Sequence, residues 1–356
     1  MKISPHDVLA ALKTVKESGQ ERDIISLGMV KDLETGDSRA SFTLLMDDPS
    51  SPASERLAQA ARAAVESLGV KEVSVQTAQR QKMMMGSMAR SSDLIPEVKA
   101  AIAVASGKGG VGKSTLAVNL AVALNLSGAA TGLMDTDVYG PSVPHLMGSR
   151  TGPVVVGGKI EPPTAYGIKM ISMGYFLPPN EAVIWRGPML HKAIRQFLGD
   201  VRWGALDYLV IDLPPGTGDI QLSLSQTIPL TGAVIVSTPQ DVALTVAAKA
   251  IAMFEKLNVP ILGVVENMSY YACPHCGQRE DIFGHGGARA AAEKMHFPFL
   301  GEVPLDTKIR AASDQGRPIA LDSESACGKA FEEIAAAVAA QVELAQKQAG
   351  QDIQIE

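Results

Sequence analysis

The sequence predicts an α/β fold with a mostly parallel sheet flanked by helices, preceded by a small α+β domain. From Val98 onward, short apolar runs alternate with helical segments, as βαβ units require. Polar or Gly/Pro-rich turns follow these runs, as expected of buried parallel strands. Residues 1–80 have their own α-β-β-α-β order, and the periodicity lapses over 81–97. We therefore expect a small domain at 1–80, a linker at 81–97, a large domain at 98–348 and a tail at 349–356.

The elements of the small domain follow from apolar periodicity and turn residues. Ser4-Pro5 is a helix start, because serine caps the first turn and proline fits within it. The turn-forming run Glu34–Asp37 separates two strand-like stretches. In order, the predicted elements are a helix from Ser4, strands Ile24–Val30 and Arg39–Met46, a helix carrying Leu57 to Leu68 on one face, and strand Lys71–Thr77.

The large domain has five strand candidates, each short, apolar and followed by a turn. They are Ala101–Ala105, Thr131–Met134, Tyr208–Ile211, Ala233–Ser237 and Ile261–Val265. Ligands of open parallel sheets lie at the carboxyl ends of the strands, so the turns there are the candidate site.

The first of these turns has the spacing of a phosphate loop. Gly107-x4-Gly112-Lys113-Ser114 lies between a buried strand and a helical segment, which is the context in which backbone N–H groups curl around phosphate. A glycine-rich turn that binds nothing is the alternative. Lys113 would reach the β- and γ-phosphates and Ser114 would hold Mg²⁺. The predicted ATP cradle is Gly107, Lys108, Gly109, Gly110, Val111, Gly112, Lys113, Ser114 and Thr115.

Carboxylates follow two further strands. Asp135 and Asp137 face the same way if the segment is extended, so either can orient an attacking water or help to hold Mg²⁺ through solvent; a capping role in a turn is the alternative. Asp212 ends the strand Tyr208–Ile211, where the Mg²⁺-facing acid of a phosphate-loop ATPase belongs. The amide of Gly216, in the Pro-Gly run that follows, is a candidate γ-phosphate contact.

The loop has a second lysine, Lys108, and in this it resembles the deviant phosphate loop of the MinD, ParA and nitrogenase iron protein ATPases. The resemblance implies that Lys108 reaches across a dimer to the partner's ATP, whereas a solvated lysine is the alternative. It also implies that Asp137 positions the hydrolytic water, so that Lys108, Lys113 and Asp137 are the catalytic candidates.

Longer runs resemble one subgroup, the Mrp/ApbC-type iron–sulfur cluster carrier ATPases. This resemblance implies that Asn267 contacts the adenine edge, with Pro304 and Asp306 beside the base. The small domain likewise resembles the MIP18 type, although serines and an alanine stand near Pro52, where many members have a cysteine. The runs that carry the subgroup resemblance are Tyr139–Gly148, Trp185–Met189, Asp212–Asp219, Ser237–Leu244 and Glu266–Tyr270.

Cys273 and Cys276 form a Cys-x-x-Cys pair, which is half of a tetrahedral metal site. The chain has one further cysteine, Cys327, in a separate, helical segment that favours a lone thiol. Two chains are the simplest source of four thiolates, and a two-fold dimer would hold one [4Fe–4S] cluster. Zinc binding and a redox dithiol remain alternatives. The resembled carriers hold a bridging cluster in this way.

The bulk composition indicates which partners to expect. A net charge of −6 with interspersed acids and bases gives no broad cationic surface, so we expect no nucleic-acid partner. The N-terminus lacks a signal-peptide core and no apolar run reaches membrane-helix length, so we expect a cytoplasmic protein. The final helix, Ser323–Gln348, lacks basic amphipathic character, which argues against a membrane role.

The sequence therefore predicts an ATP-dependent iron–sulfur cluster carrier that uses ATP, Mg²⁺ and a labile [4Fe–4S] cluster. It would act as a homodimer that receives the cluster from upstream assembly factors and delivers it to apo client proteins. Hydrolysis should be slow, because no arginine of the chain is an evident arginine finger, and Arg186 is the one candidate to test. The alternative is a nucleotide-switched positioning scaffold of the MinD/ParA kind, which would have no use for the cysteine pair.

Overall fold

The computed structural model describes residues 5–15, 23–25, 29–36, 39–46, 51–70, 72–79, 94–176 and 187–352. The chain divides into two compact units, Met1–Met88 and Ala89–Glu356. Most of the predicted linker and Arg186 lie outside the described residues.

The described residues of the small unit form a three-stranded sheet and two helices. Strands β1 and β2 are antiparallel, and β2 and β3 are parallel. The Ser51 hydroxyl accepts from the Ser54 N–H at 3.2 Å and so caps α2, which has a proline in its first turn. The elements, in order, are α1 Pro5–Leu12, β1 Val30–Thr35, β2 Arg39–Met46, α2 Pro52–Glu66 and β3 Glu72–Gln79.

The predicted first strand of this unit, Ile24–Val30, is misplaced where the structure describes it, and residues 26–28 lie outside the described residues. Ile24 lies in a turn, and the strand that pairs with β2 begins at Val30 and ends at Thr35. Ile24 and Met29 are nevertheless buried, because they fill the core from outside the sheet. An apolar run indicates that its residues are buried, and it does not show which of them pair in a sheet. The pairing of β1 with β2 is closed by the Gly36 N–H, which donates to the Arg39 carbonyl at 2.8 Å.

The large unit contains an eight-stranded sheet within the part of the chain that the structure describes. Its strand order is β15-β12-β11-β4-β10-β5-β9-β8, and every neighbouring pair is parallel except β8 and β9. Two further antiparallel pairs, β6 with β7 and β13 with β14, lie outside this sheet. The described strands of the large unit are β4 Val98–Ser106, β5 Thr131–Asp135, β6 Val154–Val156, β7 Lys159–Glu161, β8 Thr164–Ala165, β9 Ile168–Ser172, β10 Leu206–Asp212, β11 Gly232–Ser237, β12 Ile261–Asn267, β13 Tyr271–Ala272, β14 Arg279–Glu280 and β15 Phe299–Val303.

Helices cover both faces of this sheet, which confirms the predicted fold class. One core cluster lies between the sheet and α3 and α10, and a second lies between the sheet and α5, α6 and α7. The helices are α3 Lys113–Leu126, α4 Val143–Leu146, α5 Gly187–Gly199, α6 Asp219–Thr227, α7 Asp241–Lys256, α8 Gly287–Lys294, α9 Thr307–Asp314 and α10 Ala326–Asp352.

The five predicted strands of the large domain correspond to β4, β5, β10, β11 and β12. Sequence reasoning missed the other three strands of this sheet, which are β15 at one side and β9 and β8 at the other. β8 has only two residues, Lys169 interrupts the apolar pattern of β9, and Gly301 and Glu302 interrupt that of β15. Among the described helices, none is long and apolar enough to cross a membrane.

Candidate nucleotide and cysteine sites

The loop between β4 and α3 has the backbone of a phosphate cradle. Gly110 and Gly112 both have φ of +81°, a conformation that favours glycine. A Cβ on Gly112 would lie 2.2 Å from Asn267 Nδ2, so a side chain there would also displace the Asn267 amide. The predicted loop residues, from Gly107 to Thr115, are thus continuous between a buried strand and the start of a buried helix.

Lys113 forms a buried ion pair at the centre of this site. Its Nζ lies 2.5 Å from Asp212 Oδ1 and 3.8 Å from Asp137 Oδ2. Ser114 Oγ is 3.4 Å from the same ammonium group. The structure therefore brings together four of the residues that the sequence singled out, from the phosphate loop and from the ends of β5 and β10.

Asp212 is fully buried, and its second carboxylate oxygen has no hydrogen-bond partner. Burial raises the pKa of this carboxyl, while the Lys113 ammonium opposes that shift. An unpartnered buried oxygen is energetically unfavourable unless a further ligand occupies the site.

Asp135 and Asp137 are held differently. Asp135 accepts hydrogen bonds from the Ser172 hydroxyl at 2.8 Å and from the Asp137 N–H at 3.0 Å, and burial raises its pKa to about 7, with the Asp212 charge adding to the shift. Asp137 Oδ1 accepts from the N–H groups of Tyr139 and Gly140. Asp137 Oδ2 is the oxygen directed at Lys113. Asp135 instead bonds to Ser172 and to the Asp137 backbone, and so supports the segment that follows β5.

Ser172 was missed by sequence reasoning because it ends β9, one of the three strands of the sheet that the pattern did not indicate. A serine in a short apolar run gives no signal of its own. It becomes a functional candidate only because β9 lies beside β5, with Asp135 paired to Ser172 in register.

Gly216 and Lys108 have protein partners in this structure. The N–H of Gly216 donates to the Ser106 carbonyl at 2.9 Å, so binding of a γ-phosphate by this group would require that bond to open. Lys108 Nζ is exposed and donates to Gln240 Oε1 at 3.3 Å. The Lys108 contact is exposed and can be exchanged at small cost, whereas the Gly216 bond ends on the buried residue Ser106.

A cleft of about 250 Å³ adjoins the phosphate loop. Asn267 and Pro304 line it together with Gly112 and Thr115 of the loop. Asn267 Nδ2 donates to the Val111 carbonyl at 2.8 Å, which ties the end of β12 to the loop. Asp306, also in the lining, accepts from the Lys308 N–H at 2.8 Å and begins α9.

Cys273 and Cys276 are carried by a short hairpin formed by β13 and β14. The Cys273 N–H donates to the Gln278 carbonyl at 2.9 Å, and the Gly277 N–H donates to the Cys273 carbonyl at 2.8 Å. Hydrogen bonds from the backbone N–H groups of His275 and Cys276 lower the pKa of the Cys273 thiol. Cys273 is half-buried and Cys276 is exposed.

Cys327 is separate from this pair. It is buried in the core, and its Sγ donates to Asp306 Oδ2 at 3.5 Å. Burial raises the pKa of this thiol to about 12, with the Asp306 carboxylate adding to the shift. It is therefore a protonated core residue, unlike the cysteines of the hairpin.

A glycine-rich loop before a buried helix, a buried lysine and acids at the strand ends define a phosphate-loop NTPase of the doubly wound α/β class. A family model described as the NUBPL iron-transfer P-loop NTPase matches residues 97–339. A second, described as an iron-sulfur cluster assembly protein, matches residues 5–76. The chain belongs to the family of iron-transfer P-loop NTPases.

Relatives in other organisms agree with this assignment. An iron-sulfur cluster carrier protein of Deinococcus radiodurans is 46% identical over 341 residues, which cover 94% of this chain and 95% of that protein. A protein of the same description from Synechocystis is 44% identical over 346 residues, covering 95% of this chain and 98% of that protein. The predicted resemblance to iron–sulfur cluster carriers is thereby confirmed.

Solved structures show the same fold. A nucleotide-binding protein from Archaeoglobus fulgidus, in complex with ADP, is 43% identical with a TM-score of 0.58, over 64% of this chain and 90% of that one. The cell division ATPase MinD of Pyrococcus furiosus is 24% identical with a TM-score of 0.53, over 67% of this chain and 98% of that one, and shares the fold.

Proposed function

We propose that this chain is an ATP-dependent iron–sulfur cluster carrier that holds a labile [4Fe–4S] cluster between two copies of itself and transfers it to apo-proteins. Cys273 and Cys276 of each copy would supply the four thiolates. Slow hydrolysis of ATP would change the dimer arrangement and hence the access of a client protein to the cluster. The cluster is the cargo of this cycle, and assembly factors would supply it.

The nucleotide site fits Mg²⁺ and ATP on the chemistry of its donors. Asp212 presents a buried oxygen without a partner, and the Ser114 hydroxyl lies near the same ammonium group as Asp212. Oxygen donors of this kind are the ligands that Mg²⁺ prefers. When bound, the ion would neutralise charge on the phosphates, and Ser114 and Asp212 would hold it.

Lys113 would change partners when a nucleotide binds. Its ammonium group is buried against Asp212 at 2.5 Å, and a phosphate in the loop would offer it a second anion. Asp137, whose Oδ2 already faces Lys113, would orient the attacking water. Lys108 would act on the ATP of the partner copy, for which its exposed contact with Gln240 can be released.

The single observation that carries the cluster proposal is the difference between the hairpin cysteines and Cys327. The hairpin presents two accessible thiols, and backbone N–H groups favour the thiolate form of Cys273. Thiolate is the form that ligates iron. Cys327 is buried and held as a thiol, so one chain offers only two ligands to a cluster.

The test is anaerobic reconstitution of the full-length chain with iron and sulfide, compared with the double variant Cys273→Ala/Cys276→Ala. We expect about four iron and four sulfide ions per two chains, with dimers by light scattering, and loss of both ions in the double variant. Cys327→Ser is the matched control, because a serine hydroxyl retains a donor to Asp306. It should retain the full iron content.

Two results would contradict the proposal. Equal iron in the wild type and the double variant would place the cluster elsewhere. Zinc alone on the hairpin, with a nucleotide-dependent dimer and no iron, would favour the positioning scaffold.

A further inference from the structure

We propose that five side chains between the nucleotide site and the cysteine hairpin form a bracket that transmits nucleotide binding to the two hairpin thiols, with Arg279 as the positioning residue. The bracket consists of Glu266, Ser269, Arg279, His285 and Glu302. This inference rests on the proposed function and deepens it, because it names a route by which one site regulates the other.

The connection begins at the end of β12, where two consecutive residues have partners on opposite sides of the sheet. Asn267 donates to the phosphate loop at the Val111 carbonyl, at 2.8 Å. Glu266 precedes it, and successive side chains of a strand point to opposite faces. A displacement of Asn267 by nucleotide therefore moves the backbone that carries Glu266.

Glu266 is a buried carboxylate with several fixed partners. Its Oε1 accepts from the Gly286 N–H at 2.9 Å, and its Oε2 accepts from the Ala288 N–H at 2.7 Å. Glu266 therefore caps the N-terminus of α8 from a neighbouring strand, where Gly286 has no side chain with which to do so. The glycine-rich run before α8 thus has a structural explanation in this capping.

Ser269 and His285 extend the contact toward the surface. The Ser269 hydroxyl donates to Glu266 Oε1 at 2.6 Å and lies 3.0 Å from both His285 Nδ1 and Glu302 Oε2. Ser269 is itself fully buried, and its N–H donates to the Val303 carbonyl at 3.0 Å. Its position is consequently fixed by both its backbone and its side chain.

Arg279 connects this cluster to the hairpin. Its Nη2 lies 2.6 Å from His285 Nδ1 and 3.0 Å from Nε2, and donates to whichever nitrogen carries no proton. Its guanidinium stacks on the Tyr270 ring at 3.9 Å. In the hairpin, Arg279 pairs with Ala272, the residue before Cys273. A shift of Arg279 therefore shifts the base of the loop that holds both thiols.

The charge of Arg279 also explains why these acids and the imidazole need no metal ion. Possible ligand atoms of Glu266, His285 and Glu302 lie within 4.8 Å of one another. The guanidinium already contacts His285 and lies 3.9 Å from Glu302 Oε1, and both oxygens of Glu266 accept backbone N–H groups. The cluster is therefore a hydrogen-bonded support.

Arg289 provides a matched control. Its guanidinium stacks on the Phe299 ring at 4.2 Å, as that of Arg279 does on Tyr270. Both arginines are exposed, so truncation of either should leave the fold intact. Of these two arginines, Arg279 contacts His285 and belongs to the hairpin strand β14, whereas Arg289 lies in α8.

The experiment measures the rate of iodoacetamide modification of Cys273 and Cys276 in the full-length apo-protein, by peptide mass spectrometry, with and without saturating Mg·ADP or a non-hydrolysable ATP analogue. For each cysteine, the readout is the modification rate with nucleotide divided by the rate without nucleotide. A purely structural role of Arg279 would not change this ratio. In the wild type we expect a change of about fivefold, the lower end of ordinary coupling between sites.

In Arg279→Met the ratio should fall toward one while the nucleotide Kd, measured separately, stays within about twofold, because Arg279 touches no part of the phosphate loop. Arg279→Lys should give an intermediate ratio. Ser269→Ala should also reduce the ratio, because it removes the contacts of the Ser269 hydroxyl with Glu266 and His285. Arg289→Met should retain the wild-type ratio.

A wild-type ratio of one would overturn the inference, as would an Arg279→Met protein that keeps the full effect or an Arg289→Met protein that loses it. The outcome is separable from that of the proposed function. A chain that holds no cluster but shows the coupled thiol reactivity removes the carrier proposal alone. A chain that holds the cluster with a ratio of one removes the bracket alone.

Discussion

The contact between Gly112 and Asn267 allows a quantitative test of the phosphate loop. Gly112→Ala places a Cβ at φ +81° and 2.2 Å from Asn267 Nδ2. The first effect is backbone strain, and the second is displacement of a buried amide that donates to the Val111 carbonyl at 2.8 Å. The neighbouring Gly110 has the same φ, and a Cβ there would meet nothing within 4 Å.

These geometries predict different costs at the two glycines. A non-glycine residue in the left-handed region costs roughly 1–2 kcal/mol, and this alone applies to Gly110→Ala. Gly112→Ala adds about 1–3 kcal/mol for the buried donor and acceptor that lose each other. In an Asn267→Ala background the added term should vanish, so Gly112→Ala should then cost only about 1–2 kcal/mol.

The assay is urea unfolding followed by tryptophan fluorescence, with the four proteins of the double-mutant cycle and Gly110→Ala in both backgrounds. Both tryptophans of the chain, Trp185 and Trp203, belong to the large unit, and Trp203 is buried in its core. The signal therefore reports the unit that contains the loop. Equal costs at the two glycines, with no coupling to Asn267, would refute the steric argument.

Four further predictions concern charges and thiols. Lys113→Met should lower the free energy of unfolding by about 3–5 kcal/mol, because Asp212 stays buried without its cation, and Asp212→Asn in the same chain should recover much of this loss in the urea assay. Lys108→Ala should reduce ATP hydrolysis at least about tenfold with unchanged nucleotide affinity; an equal loss of affinity would contradict a role on the partner's ATP. At pH 8, iodoacetamide should label Cys273 and leave Cys327 unmodified in the folded chain, because thiolate is the reactive form. The pKa of Cys327 is raised from 9.0 to about 12, so its contribution to stability is complete below pH 9 and is lost as the pH rises toward 12; a flat urea midpoint over that range would contradict the assignment.

The sequence by itself determined the phosphate loop, the strands that lead to it and the pair of hairpin cysteines. These features are local, because each depends on the spacing of a few adjacent residues: glycine where the backbone needs positive φ, lysine and serine at fixed positions, and two thiols on one turn. Buried parallel strands can also be located from the sequence, because a strand covered on both faces is apolar throughout.

Only the tertiary structure decided which distant groups meet. The ion pair of Lys113 with Asp212 joins residues 99 positions apart, and Ser172 reaches Asp135 because β9 lies beside β5. The partners of Glu266 likewise come from a loop and a helix that follow later in the chain. Side-chain pairs of this kind leave no periodic trace in a sequence, because strand order and the packing of helices on the sheet set them. The same reason explains the misplaced first strand, since pairing and the turn at Gly36, and not the apolar run, set where β1 begins.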